Sequence, residues 1–191
     1  MAGPSRVHDD RLLDALEGLE GEAFDGTIWC VVRQGRSVFD DSRGSGRWNP
    51  SDLNVLYSAR QADGAIAEIY FHLSRGQSVF PSRMKHRLFE LKVITDRTLM
   101  LANMADLVAL GVDAAQYSQM LYSRTQEIAA AAAFMGFDGI ISPRVRYDCD
   151  NLVLFLDSFN LENIETVAET PIDWAEWRTK KRSRTKPTRE K

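Results

Sequence analysis

Residues 44–73 read GSGRWNPSDLNVLYSARQADGAIAEIYFHL, and three local patterns follow one another within them. The first nine residues are dense in Gly, Ser, Asn, Pro and Asp, which favour turns, so Arg47 lies on or beside a loop. The apolar run LNVLYSA, 53–59, has the length of a buried strand ending near Tyr57. QADGAIAEIYFHLS, 61–74, continues at helical spacing, with Gly64 as a residue that lowers helix stability. In one continuous helix Glu68 and His72 stand four apart and share a face.

The flanking sequence gives the same mixture. Asp9 and Asp10 supply a helix cap ahead of Leu12, Leu13, Leu16 and Leu19. TIWCVV, 27–32, is rich in β-branched and aromatic residues and reads as a strand. RLFELKVIT, 87–95, alternates Phe89, Leu91 and Val93 with Glu90 and Lys92, the period of a half-buried strand. Residues 113–134 read as a helix that Gly136 ends, and FDGIIS and NLVLFLD as two further strands. Helices and strands intermix without a regular βαβ rhythm, which predicts an α+β fold.

Composition sets the outer limits. A chain of 191 residues, 44% of them hydrophobic, is long enough for one sizeable core. The expected division is an N-terminal helix within 1–26, a main domain over 27–177 and a basic, disordered tail over 178–191. Arg178–Lys191 holds eight Lys or Arg against one Glu, leaving 16 basic and 26 acidic residues before it, so the body carries a charge near −10. An acidic body is a poor nucleic-acid surface, although the tail leaves open a non-catalytic module that binds nucleic acid through it. No apolar run is long enough to span a membrane, and the first ten residues are polar, so a cytoplasmic protein is expected. Cys30 and Cys149 lie far apart without metal-ligand spacing, which predicts two reduced thiols and no metal site. The common nucleotide, zinc and hydrolase motifs, GxGxxG, GxxxxGK[ST], HExxH, GxSxG and CxxC, are absent.

The ordered series Gly46-Arg47-Trp48-Asn49-Pro50, Tyr57, Glu68 and Gly136–Ser142 resembles the RES domain family, whose name records Arg, Glu and Ser. The resemblance covers about residues 27–157. It implies a toxin of a bacterial toxin-antitoxin pair that consumes NAD as substrate, a fold similar to ADP-ribosyltransferase toxins with mixed sheets flanked by helices, and a cognate antitoxin as partner. The activity implied is cleavage of the nicotinamide-ribose bond as an NAD phosphorylase or glycohydrolase. Transfer of ADP-ribose to a protein is the alternative.

The residue chemistry suits that expectation. Departure of nicotinamide leaves oxocarbenium character on the ribose, which a nearby carboxylate stabilises, and Glu68 is the candidate. A dinucleotide's diphosphate suits a planar guanidinium, and Arg47 fits that role. Tyr57 can offer a ring face to nicotinamide or a hydroxyl to ribose, with a buried strand tyrosine as the competing reading. Ser142, expected where a strand ends in a Pro-containing turn, and Asn49 are expected to bind substrate, and no base is identifiable beside the serine. Where many family members carry an aromatic residue followed by Arg, this chain has Trp29-Cys30. Arg33, or Arg144 and Arg146, are candidates to replace that charge. His72, one turn beyond Glu68, is either an addition to the site or a plain surface histidine, and its presence favours a protein acceptor.

Overall fold

A computed structural model describes residues 7–40, 46–75, 83–101, 103–143 and 147–184, with side chains of the last four outside the description. Helix α1 (Asp10–Glu17) is capped by Asp9, whose carboxylate accepts from the Arg11 N–H at 3.0 Å. It buries Leu12 and Leu16. The chain continues as β1 (Glu22–Arg33), β2 (Val55–Ala59), α2 (Ala62–Ser74) and β3 (His86–Met100). Then come α3 (Met104–Ala109), α4 (Ser123–Phe134), β4 (Gly139–Pro143), β5 (Asp150–Phe155), β6 (Ile164–Pro171) and α5 (Trp174–Arg184).

Five strands close on themselves in the order β1-β2-β5-β4-β3, because β3 also pairs with β1. The β3–β4 pair is parallel, with α3 and α4 in the crossover between them; every other pair is antiparallel. Strand β6 lies outside the ring on the first half of β3, so the described fold is a mixed α+β domain, as the intermixed pattern predicts.

Successive side chains of a strand point to opposite faces, and the core divides along that rule. Val55, Ile140, Val153 and Phe155 join one cluster with Leu12, Leu16, Leu107, Ile128 and Phe137 from the helical side. Their neighbours Leu56, Ile141, Leu152 and Leu154 turn the other way, onto Ile28, Cys30, Leu91 and Val93. Burial on both faces explains why NLVLFLD is apolar throughout rather than alternating. The same period sends Tyr57, two residues after Val55, and Ser142, two after Ile140, to the helical face. Losing one of these fully buried aliphatic side chains to Ala costs about 2–5 kcal/mol.

Three expectations need correction. The helix predicted over 113–134 starts only at Ser123, and residues before it form turns. Asp113 accepts from the Ala115 N–H at 2.9 Å and from the Gln116 amide at 2.7 Å, which closes a local turn in place of helix. Helix α5 runs through Arg184, so the first half of the expected disordered tail is helical. Trp174 and Trp177, 4% and 9% exposed, anchor it where a charge count shows only polar residues. Residues 185–191 lie outside the described residues. Ser142 sits inside β4 opposite Asn151, not in a turn, because Pro143 still pairs with Asp150 and extends the strand.

Cys30 and Cys149 are both free thiols, as expected. No helix among the described residues is long and apolar enough to cross a membrane.

Candidate functional site

The RWN segment is a tight turn closed by a bridge between Gly46 and Asn49, and the first turns of α4 hold it in place. Thr125 Oγ1 donates to the Arg47 carbonyl at 2.7 Å, and Gln126 Nε2 donates to the Gly46 carbonyl at 2.8 Å. From the other side Tyr57, at the middle of β2, reaches into the same turn. Its hydroxyl accepts from the Trp48 N–H at 2.7 Å and donates to Asn49 Oδ1 at 2.9 Å. A side chain at position 46 would collide with both the Tyr57 hydroxyl and Asn49, which is why glycine stands there.

Asn49 is 2% exposed and spends its side-chain oxygen on Tyr57, so it acts on the turn. Tyr57 keeps 36% of its surface open while its hydroxyl is engaged inward. Burial pushes that phenol far above the usual tyrosine range, so it stays protonated and available as a donor. Of the two uses foreseen for Tyr57, the hydroxyl is already engaged by Trp48 and Asn49.

The Arg47 guanidinium packs on two aromatic rings, its Cζ 4.3 Å from the centre of Tyr117 and 4.9 Å from that of Tyr122. Nη2 donates to the Gln119 carbonyl at 3.4 Å, while Nη1 is buried without a hydrogen-bond partner. A buried donor left unpaired costs free energy, and such a group suits an acceptor brought by a ligand.

Glu68 and His72 share a face of α2, as their spacing requires, and His72 Nε2 donates to Glu68 Oε1 at 3.1 Å. The Glu68 carboxylate acts on the same two phenols as Arg47. At Tyr57 and at Tyr117 the guanidinium favours the ionised form and Glu68 opposes it. Burial outweighs both and raises the two phenols. Ser142, 0% exposed, lies next to this group on β4, and its hydroxyl is buried without a hydrogen-bond partner. The Tyr117 hydroxyl donates to the neighbouring Pro143 carbonyl at 3.0 Å.

Direct contacts join Arg47, Asn49 and Tyr57 at the turn, and Tyr117 links Arg47 to the end of β4 beside Ser142. Glu68 and His72 pair with each other on α2, where the Glu68 charge acts on both phenols. Arg33 does not join them. It is exposed at the end of β1, in register with His86, and its charge acts there. Arg144 and Arg146 lie outside the described residues. Cys30, where an arginine was looked for, is a core residue 3% exposed.

Sequence reasoning missed Tyr117 and Tyr122, because 113–122 was assigned to a helix whose faces would not bring both rings to Arg47. The Tyr-rich composition of that stretch was the available signal. Gly64, read only as a weak point of α2, lets Cys149 Sγ and the Tyr147 ring approach the helix start. A cavity of about 510 Å³ bounded by Lys85, His86, Asp173 and Trp174 lies elsewhere, and none of the predicted site residues lines it. Among the described residues no cluster of His, Cys, Asp or Glu could hold a metal ion.

Among the described residues, the closed five-stranded barrel with five helices defines a mixed α+β domain. The sequence matches the RES domain family over residues 26–175, and the chain belongs to that family. No curated protein sequence matches the chain. A chain in the crystal structure of the M. tuberculosis MbcT-MbcA toxin-antitoxin complex is similar in fold, with a TM-score of 0.78. It is 18% identical in sequence, and the alignment covers 90% of this chain and 97% of that one.

Proposed function

We propose that the chain is a toxin-type enzyme that cleaves the nicotinamide-ribose bond of NAD and is held in check by a cognate antitoxin protein. The observation that carries this reading is the Arg47 guanidinium, fixed on two rings with Nη1 buried and unpaired, while its charge and that of Glu68 act on the same pair of phenols. Such a donor fits a diphosphate oxygen. The carboxylate fits the ribose carbon that gains positive character as nicotinamide departs with the bonding electron pair. Tyr57, partly exposed with its hydroxyl bound to the turn, is the aromatic residue that would meet the nicotinamide.

Water adding to that carbon gives ADP-ribose and a proton; inorganic phosphate gives the ribose 1-phosphate ester. The fold expected with this activity, similar to ADP-ribosyltransferase toxins, is part of the same reading. Support for the antitoxin is the similar chain of the MbcT-MbcA complex, a toxin-antitoxin assembly.

A second acceptor has one observation in its favour. His72 is exposed and hydrogen-bonded to Glu68, so an approaching protein side chain would meet the imidazole next to the carboxylate. Both readings share their first step.

The test is to incubate the purified full chain with NAD, with and without phosphate, and to follow nicotinamide and the ADP-ribose species by mass. Free nicotinamide with ADP-ribose or its phosphate ester supports cleavage to a small acceptor. A mass increase on an added bacterial lysate protein supports protein transfer. NAD recovered intact under all conditions rejects both.

A further inference from the structure

We infer that Tyr117 and Tyr122 are positioning residues that hold the Arg47 guanidinium on their ring faces and so aim its free edge at the substrate's diphosphate. This rests on the NAD reading for the identity of the ligand, but the hold itself does not.

An arginine side chain is long and rich in rotamers, and fixing it costs entropy that something must offset. At Arg47 no carboxylate does so among the described ion pairs; two aromatic rings at 4.3 and 4.9 Å do. A ring face attracts a cation without using its N–H groups, whereas a salt bridge would consume the donors a ligand needs. The Gln119 carbonyl takes one edge through Nη2 at 3.4 Å, and the Arg47 carbonyl is pinned by Thr125 at 2.7 Å, so main chain and side chain are both fixed. What remains is Nη1, buried and unpaired.

Tyr117 does more than cover the cation. Only 5% exposed, it carries its hydroxyl to the Pro143 carbonyl at 3.0 Å, beside Ser142. One side chain thus spans from the RWN turn to the end of β4 and fixes their separation. Tyr122, half-buried at the entry to α4, supplies a ring without such a link, so the two residues separate by mutation. Removing the hydroxyl of Tyr117 cuts the tie to β4 and keeps the ring. Removing either ring loosens the guanidinium.

The experiment uses the full chain and the variants Tyr122→Leu, Tyr122→Phe, Tyr117→Leu and Tyr117→Phe. Each is titrated calorimetrically with inorganic pyrophosphate and with ADP-ribose, and each is assayed for NAD cleavage. Loss of one cation-ring contact should weaken pyrophosphate binding by about threefold to thirtyfold. Tyr122→Phe should rescue it to within about twofold, since the ring face remains. KM for NAD should rise more than kcat falls. Arg47 side-chain resonances in an NMR spectrum should be displaced by the ring currents in the parent protein and return toward ordinary values in Tyr122→Leu.

Unchanged pyrophosphate affinity in a folded Tyr122→Leu, or Tyr122→Phe as impaired as Tyr122→Leu, overturns the inference. If Tyr117→Leu fails to fold, Tyr122 decides the matter. A parent protein that shows the displaced Arg47 resonances yet neither cleaves NAD nor binds pyrophosphate keeps the hold and sinks the substrate. Absence of the displacement in the parent sinks the hold, whatever the protein cleaves.

Discussion

The Tyr57 hydroxyl donates to Asn49 Oδ1 at 2.9 Å and thereby ties the middle of strand β2 to the turn that presents Arg47. The same oxygen accepts from the Trp48 N–H, so one hydroxyl organises two successive residues of the turn. The Tyr57→Phe variant keeps the ring and removes both bonds, leaving Asn49 with a buried acceptor. The expected cost is about 1–3 kcal/mol of stability, read as a lower urea midpoint at unchanged slope. An unaltered midpoint would show that the turn does not depend on this hydroxyl.

Glu68 tests the chemistry rather than the scaffold. At 32% side-chain exposure on a helix surface its removal should leave folding nearly intact, while NAD cleavage drops by about a hundredfold or more, the usual scale for losing a positioned charge. Both Glu68→Ala and Glu68→Gln are expected to behave so, because the negative charge is what matters. Rates of nicotinamide release in the folded variants are the measurement, and a Glu68→Gln enzyme with parental kcat removes this residue from the mechanism.

The two thiols should differ sharply in reactivity. Cys30 is 3% exposed, and burial pushes its thiol up to about 12, whereas Cys149 is half-buried beside the start of α2. Alkylation proceeds through the thiolate, so a buried, protonated Cys30 is inert. Iodoacetamide should modify one residue per native chain, Cys149 by peptide mapping, and Cys30 only after denaturant is added. Equal labelling of both in the native state would mean that strand β1 opens readily.

Period and length alone disclosed β2, α2, β3, β4 and β5, because each packs an apolar face that the alternation or helical spacing announces. Strand β6 announced nothing: Glu165, Thr166, Val167, Glu169 and Thr170 are all exposed on an outer strand that pairs only with β3. Helix α5 was hidden for a similar reason, since two tryptophans fix it and most of the rest is charged. At the site, Arg47, Tyr57 and Glu68 were legible through local spacing and the family resemblance. Tyr117 and Tyr122 were not, since what places them is a contact across 70 residues of chain, and local propensity carries no record of that. Arg33 lies at the end of β1 in register with His86, a placement set by the β1–β3 ladder that local spacing does not record.

His86 supplies a stability measurement with a defined sign. It is 7% exposed, its Nδ1 donates to the Met84 carbonyl at 3.1 Å, and its ring meets Trp174 edge-on at 5.4 Å. Burial, and to a lesser degree the Arg33 charge, lower its pKa from 6.5, against the opposing pull of the Met84 carbonyl. The folded protein therefore binds a proton at His86 less readily than the unfolded chain does. As pH falls through 6.5 the unfolded chain takes up that proton first, and the contribution of His86 is lost until the folded group titrates too. Unfolding free energy should fall between pH 7.5 and pH 5.5, by no more than about 1.4 kcal/mol per pH unit from this one proton. His86→Gln removes the titration while His8 and His72 remain, so the difference between parent and variant isolates the residue. Denaturant midpoints at both pH values give the answer, and an identical pH slope in the variant means that His86 titrates alike in the folded and unfolded states.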